Sequence, residues 1–207
     1  MELFNNDPGK LNVVRDFMKD QKYSPTAYAK EVARHILELN YDHVDEVATV
    51  IRSKIAKGGK IYTCGNGGST AIAHHAACDF GKGLFTTSSG KIKVHALGAN
   101  VPLTSAISND FGYENLFLAE YQMQTTSVED MIFLISSSGN SENVLRLAKF
   151  ASDNDVYTIG LTGFSGGMLR DLVDLSVHVP SDVYTVVELV HQHFFDAVFM
   201  NFFIEQN

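Results

Sequence analysis

The stretch IYTCGNGGST at residues 61–70 changes from apolar to glycine-rich to hydroxyl-bearing within ten positions. Its apolar start has the length of a buried strand, and the glycines and hydroxyls after it are typical of a turn that opens a helix. A second stretch, MIFLISSSGNSENV at residues 131–144, repeats this order around a Gly-Asn pair. Together the two stretches predict two strand–loop–helix units with similar loops.

The rest of the chain extends this alternation. After Gly59 the apolar runs are short, with helix-like segments between most of them: KIYTC, IKVHALG, MIFLISSS, VYTIGLTG and LSVHVP. Strands that are apolar on both faces and alternate with helices are typical of a parallel sheet covered on both sides. Before them, Ser24-Pro25 and a helical spacing of apolar residues predict two helices over residues 25–57. We therefore predict an α/β fold, a doubly wound five-stranded parallel sheet sandwiched by helices, with N-terminal helices.

Size and charge limit the possible functions. The 207 residues suit a single domain over 1–207, with an N-terminal helical part (1–57) and an α/β sandwich (58–207). No apolar run is long enough to cross a bilayer and the N-terminus lacks a signal pattern, so we expect a cytoplasmic protein without a membrane partner. A formal net charge of -8 without a basic cluster argues against nucleic-acid binding. Two cysteines, Cys64 and Cys78, are too few for a disulfide framework.

The two glycine-containing loops are the candidate ligand site. In an open α/β sheet, ligands bind at the carboxyl ends of the strands, near the point where the strand order reverses. Glycines bring backbone N–H groups close to a ligand, and serine hydroxyls at a helix N-terminus add donors beside its positive end, which suits a phosphate. The other interpretation is that Ser69 and Ser141 only cap their helices, as serine often does.

The glycine pattern argues against nucleotides. The dinucleotide fingerprint Gly-x-Gly-x-x-Gly fails because its last position is Thr70, and no Gly-Lys-Ser/Thr sequence closes either loop as a P-loop requires. The four serines of SSSGNS, without a lysine, suit a phosphomonoester surrounded by sugar hydroxyls. We expect a phosphorylated sugar as the ligand and no nucleotide cofactor.

Four motifs, CGNGGS, SNDFGYENLF, SSSGNSENV and LTGFSGG, resemble those of the sugar isomerase (SIS) domain proteins in the same order. Within that family the sequence looks most like the phosphoheptose isomerases, which interconvert sedoheptulose 7-phosphate and a mannoheptose 7-phosphate. The resemblance spans residues 25–205. It implies a homotetramer with active sites between subunits, and aldose–ketose isomerisation through an enediol. Matched by position, the implied substrate-binding residues are Asn66, Gly67, Ser69, Asp110, Ser136, Ser138 and Ser141, the last three on the phosphate.

One catalytic pair is implied on the helix after CGNGGS. There the family carries a histidine and, four residues on, a glutamate that acts as base or metal ligand. These positions match His75 and the shorter acid Asp79. Residues four apart lie on one face of a helix, so the two side chains can act together. Asp79 is the candidate base that removes the proton beside the carbonyl.

The last helix departs from the family pattern. The family carries a glutamine, a glutamate directly after it, and a histidine eight positions beyond the glutamine. When Glu188 is matched to that glutamate, the other two positions become Val187 and Phe195. His191 lies one helical turn from each of them, so it could occupy the site as the catalytic acid. The helix is apolar nearly all round, however, which indicates burial in a core or subunit interface and leaves open the alternative that its polar residues serve structure only.

A divalent metal is a further possibility. Glu188 and His191 form a Glu-x-x-His pair, a spacing that presents two metal ligands. An ion such as zinc could then be held by nitrogen and oxygen ligands from His75, Asp79, Glu188 and His191. Such an ion would polarise the carbonyl.

Three functions remain open. The first is an isomerase of a phosphorylated heptose or a related sugar. The second is a non-catalytic phosphosugar-binding module, which the apolar residues at positions 187 and 195 would favour. The third is an adaptor like the SIS-family protein that binds a replication initiator. The sugar could also differ from a heptose, because GLFTTSSGK at 83–91 departs from the family's basic, tyrosine-bearing stretch. Residues 1–24 could form an extra helix over a neighbouring subunit.

Overall fold

The structure is a computed structural model that describes residues 24–87 and 93–204. Two helices come first, and then strands and helices alternate to the end of the described chain. In chain order the elements are α1 (Pro25–Leu37), α2 (Asp42–Ala56), β1 (Ile61–Gly65), α3 (Gly68–Thr87), β2 (Val94–Ala96), α4 (Val101–Phe111), a 3₁₀ turn (Tyr113–Asn115), α5 (Leu116–Gln122), β3 (Met131–Ser136), α6 (Glu142–Asp153), β4 (Tyr157–Thr162), α7 (Leu169–Leu172), β5 (Leu175–His178) and α8 (Tyr184–Ile204).

The five strands form one parallel sheet in the order β2-β1-β3-β4-β5. Each predicted apolar run overlaps one of these strands, and the two predicted N-terminal helices are α1 and α2, so the predicted fold class is confirmed. The strand order reverses between β1 and β3, which pair in register with Gly65 opposite Ile135. The two similar loops therefore leave the sheet side by side, at the point where α/β folds bind ligands.

Both faces of the sheet are buried. On β3, Phe133 and Ile135 belong to a core cluster shared with α2, α3 and α8, while Ile132 and Leu134 belong to a second cluster under α4, α5 and α6. This alternation explains why the strands are apolar at every position. It leaves the carboxyl end of the sheet as the place for polar side chains.

The first N-terminal helix starts as its sequence predicts. The Ser24 hydroxyl accepts a hydrogen bond from the N–H of Ala27 at 3.2 Å, and Pro25 occupies the first turn of α1. Helix α8 packs against α1, α2 and α3. Tyr28 of α1 donates a hydrogen bond to the Thr185 carbonyl at 3.2 Å.

Within the described residues, none of the helices has both the length and the apolar character that a membrane crossing requires. The expectations for residues 1–23 and 88–92 lie outside the described residues.

Candidate active site

The serine loop, residues 136–141, follows β3 and leads into α6. Ser136 donates a hydrogen bond to the Ser141 hydroxyl at 3.1 Å, and Ser141 occupies the N-cap position of α6 without a side-chain capping bond. The capping interpretation is therefore wrong for Ser141. The Ser137 hydroxyl is buried and finds no hydrogen-bond partner in the part of the chain that the structure describes. The Ser137 hydroxyl is therefore open to a hydrogen bond from outside the described chain, because a buried polar group without a partner is costly.

A cavity of about 320 Å³, called the serine cavity below, lies between the serine loop and the loop after β1. The N-termini of α3 and α6 both meet it, so two helix dipoles favour an anion there. Its lining residues are Asn66, Gly67, Gly68, Ser69, Ile135, Ser136, Ser137, Ser138, Ser141, Tyr184 and Glu188. The structure thus brings together six of the seven substrate-binding residues predicted from the sequence. It adds Ser137 and Tyr184, which the sequence reasoning missed.

The seventh residue, Asp110, lies elsewhere. It is exposed near the end of α4, where its carboxylate accepts a hydrogen bond from the Asn109 side chain at 2.8 Å.

Asn66 is tied to the first turn of α6, since its side-chain amide and that of Asn143 exchange hydrogen bonds of 2.9 and 3.0 Å. Tyr113 also donates to Asn66 Oδ1 at 2.6 Å. The Asn66 side chain therefore links the loop after β1 to the helix that follows the serine loop.

A third loop, the glycine loop at residues 163–167, supports the serine loop from behind. The Gly163 N–H donates to the Ser137 carbonyl at 2.8 Å. Gly139 has a φ of +65°, and a Cβ on it would lie 1.8 Å from the Gly166 carbonyl oxygen. Only glycine fits this contact, and glycine also adopts the left-handed conformation without a steric penalty. The LTGFSGG motif therefore fixes the shape of the serine loop.

Glu188 on α8 closes the other side of the cavity. Gly68 lets it approach, because a Cβ on Gly68 would lie 2.3 Å from the Glu188 carboxylate. Burial raises the pKa of Glu188 above its ordinary value. Glu188 also lines a neighbouring cavity of about 490 Å³ that reaches His75 and Gln192. It therefore stands at the junction of two cavities.

Beyond this junction lies a group of three potential ligands. His75 Nε2 is 3.2 Å from the Asp79 carboxylate, as the i,i+4 spacing predicts. The third member is Asp196 of α8, and one ligand atom from each of the three lies within 4.8 Å of the others. Gln192 donates a hydrogen bond to Asp196 at 2.7 Å. The arrangement combines one imidazole with two carboxylates, a ligand set that a divalent ion accepts.

The comparisons with known proteins agree with this geometry. The family model for the SIS domain matches residues 26–163. The chain belongs to the SIS domain family.

Similar proteins of this family include a phosphoheptose isomerase from Aliarcobacter butzleri, 31% identical over 182 residues, which are 88% of this chain and 90% of the relative. A probable phosphoheptose isomerase from Thermoplasma acidophilum is 34% identical over 164 residues, 79% of this chain and 89% of the relative. The structure of phosphoheptose isomerase from Neisseria gonorrhoeae superposes with a TM-score of 0.73 at 25% identity, covering 94% of this chain and 98% of that one.

The geometry of α8 changes how this SIS domain should be matched to the family's last helix. Val187 and Phe195, matched above to the glutamine and the histidine, are both buried in the core. Glu188 and Asp196 each follow one of them directly and face the cavities and the His75 side. They keep the spacing of eight that the family pattern requires. A register shifted by one residue therefore supplies polar groups at the glutamine and histidine positions, and it places Leu189 at the glutamate position.

His191 does not join this group. It is fully buried, and its Nε2–H donates to the Thr162 carbonyl at 3.1 Å. Its Nδ1 has no hydrogen-bond partner among the described residues. Burial lowers the pKa of His191 to about 4, so the ring is neutral at pH 7. The structure places His191 inside the SIS domain core, whereas the sequence suggested a position in the site.

Proposed function

We propose that this chain is an aldose–ketose isomerase of a phosphorylated sugar, sedoheptulose 7-phosphate or a close relative. The names of the similar proteins support this reading. The observation that carries it is the position of Glu188, which lines both the serine cavity and the cavity that reaches His75. One sugar can therefore bind its phosphate at the serine loop and present its other end to acid and base groups.

The phosphate group of the sugar is assigned to the serine cavity. The hydroxyls of Ser136, Ser138 and Ser141 supply hydrogen-bond donors, and Ser137 adds the buried hydroxyl that lacks a partner. The N-termini of α3 and α6 supply positive potential without a lysine or arginine in the lining. An anion can thus bind to a protein whose net charge is -8.

Proton transfer at carbon is assigned to Glu188. Isomerisation removes a proton from the carbon next to the carbonyl and returns it to the neighbouring carbon, while a second proton moves between the two oxygens. A half-buried carboxylate with a raised pKa is a stronger base than an exposed one once it is ionised. Asp79, the base expected from the sequence, orients His75. His75 transfers the proton between the two sugar oxygens, a role for which the buried His191 is not available.

A divalent ion is the alternative to this proton role of His75, because it fits the group of His75, Asp79 and Asp196, with Glu188 near the same cavity. The all-nitrogen-and-oxygen ligand set is compatible with zinc. When bound, such an ion would polarise the sugar carbonyl. Asp196 replaces His191 in the ligand set proposed from the sequence.

The non-catalytic phosphosugar-binding module loses its main support. It rested on Val187 and Phe195 standing where polar groups are needed, and the shifted register puts Glu188 and Asp196 there instead. The acid at Asp79 favours the isomerase over the adaptor. Assembly as a homotetramer and a cytoplasmic location remain part of the proposal. The exposed apolar residues Leu189 and Met200 on α8 support an oligomer, since burial between subunits would remove them from water.

Turnover is the test of this function. The protein is incubated with sedoheptulose 7-phosphate and followed by proton NMR for a new aldose anomeric signal. We expect conversion by the wild type and its loss in the Ser138→Ala/Ser141→Ala double variant. Line broadening of the sugar without conversion would instead support a phosphosugar-binding module, and the absence of both would overturn the proposal.

A further inference from the structure

Two aromatic rings stand at the edge of the serine cavity. Tyr184, the first residue of α8, lines the cavity and is 39% exposed. The ring of Phe164, from the glycine loop, meets the Tyr184 ring edge to face, with centroids 4.7 Å apart and planes at 82°. This geometry is a preferred one for aromatic pairs, so the Phe164 ring restrains the orientation of Tyr184.

The backbone of Phe164 is held in an unusual conformation. Its φ is +51°, a left-handed conformation that a phenylalanine rarely adopts. The residue is held there from both sides: its N–H donates to the Ser181 carbonyl at 3.0 Å, and the preceding Gly163 N–H donates to Ser137. Strained residues of this kind persist where the surrounding structure fixes them, and they cluster at functional sites.

Tyr184 and Glu188 are four residues apart on α8, and both line the serine cavity. Residues at this spacing lie on one face of a helix, about 6 Å apart along its axis. A ligand that has its phosphate at the serine loop and its reacting carbons at Glu188 therefore lies in the cavity that the Tyr184 ring lines. Its middle carbons, between the phosphate and the reacting carbons, are the atoms left to meet that ring.

We propose that Tyr184 is a specificity-determining residue of the site, with Phe164 as its positioning residue. The inference rests on the proposed function and names what selects the sugar. The negative face of an aromatic ring attracts the C–H bonds of a sugar, while its bulk excludes chains whose carbons or hydroxyls fall at the wrong place. The class selected is phosphorylated sugars, distinguished by chain length and by the configuration of the middle carbons.

The first test compares Tyr184→Phe, which keeps the ring, with Tyr184→Ala, which removes it. The kcat and KM of each are measured with sedoheptulose 7-phosphate, fructose 6-phosphate and ribulose 5-phosphate. We expect Tyr184→Ala to raise KM for the best substrate about tenfold, to leave kcat within about threefold, and to change the ratio of kcat/KM values between sugars about tenfold. Tyr184→Phe should stay within about twofold of the wild type.

The second test uses Phe164→Gly, because glycine accepts the left-handed backbone and only the ring is lost. Its KM should rise in the same direction as that of Tyr184→Ala. The double variant should be no worse than Tyr184→Ala alone, since Phe164 acts through Tyr184. The control is Leu37→Ala, at an exposed leucine of α1 outside the lining of the cavities, which should leave the substrate ratios unchanged.

The outcomes separate this inference from the proposed function. A wild type that neither binds nor converts any of the sugars overturns both. A wild type that converts one of them, with substrate ratios in Tyr184→Ala within about twofold of its own, overturns the role of Tyr184 alone. Additive effects of Phe164→Gly and Tyr184→Ala overturn the positioning role of Phe164.

Discussion

At the scale of single residues, the buried His191 has a consequence for stability. Its pKa is about 4 in the folded chain, against an ordinary value of 6.5. The unfolded state therefore binds more protons between these two pH values, and the free energy of unfolding falls as the pH drops from 6.5 to 4. A shift of this size corresponds to a loss on the order of 3 kcal/mol.

The prediction concerns His191→Gln, which keeps a donor for the Thr162 carbonyl and cannot take up a proton in this range. Urea unfolding at pH 7, 5.5 and 4.5 should show a smaller acid loss of stability in the variant than in the wild type. Because His191 lies in the core, turnover at pH 7 should stay within about threefold. Parallel stability curves would contradict the assigned burial, and a large loss of turnover in a folded variant would return His191 to the site.

The structure brings some of the predicted site residues together in one cavity and leaves others apart, for physical reasons. Ser136, Ser138 and Ser141 line the cavity as predicted, since a loop at a strand end fixes their surroundings. Ser137 was missed because the burial of its hydroxyl depends on how the glycine loop closes over β3. Asp110 was expected in the site from the family resemblance, and in this chain it is exposed on α4.

At the scale of elements, the packing of the glycine loop against the serine loop determines the shape of the serine cavity. Gly139→Ala would put a Cβ 1.8 Å from the Gly166 carbonyl oxygen and would also occupy a left-handed conformation. We expect it to lower the free energy of unfolding by about 2–4 kcal/mol and to weaken phosphosugar binding.

Gly81→Ala is the matched control for that change. Gly81 lies within α3, and an added Cβ there has no neighbour within 4 Å among the described residues. Alanine in a helix interior should raise the free energy of unfolding by about 0.5–1 kcal/mol. Urea denaturation and NMR titration with sedoheptulose 7-phosphate measure both effects. Similar stability of the two variants would contradict the close contact of the two loops.

The elements themselves were largely predictable, but the register of α8 was not. Five short apolar runs alternating with helices are sufficient to predict the parallel sheet. Helix α8 is apolar on nearly every side, so its sequence alone does not indicate which residues face the site. Packing against α1, α2 and α3 decides this, burying Val187 and Phe195 and turning Glu188 and Asp196 outward.

At the scale of the whole molecule, the proposed metal group joins α3 to α8, which are far apart in the chain. An ion that binds only the folded protein raises its stability by mass action. Zinc chloride should therefore raise the midpoint of thermal unfolding, and a chelator should reverse the effect. The gain should be lost in Asp196→Asn and kept in Asp182→Asn, at an exposed carboxylate outside the group. A gain that survives Asp196→Asn would contradict this ligand set.

The central claim for the molecule is that Glu188, at the junction of the two cavities, moves the proton between adjacent carbons of the sugar. Proton NMR of sedoheptulose 7-phosphate in D₂O tests it most directly, by following the loss of the C1 proton signals with wild type, Glu188→Gln and Asp182→Asn. We predict exchange with the wild type and with Asp182→Asn, and at least about a hundredfold slower exchange with Glu188→Gln. Exchange at the wild-type rate in a folded Glu188→Gln variant would contradict the claim and give the base role back to Asp79.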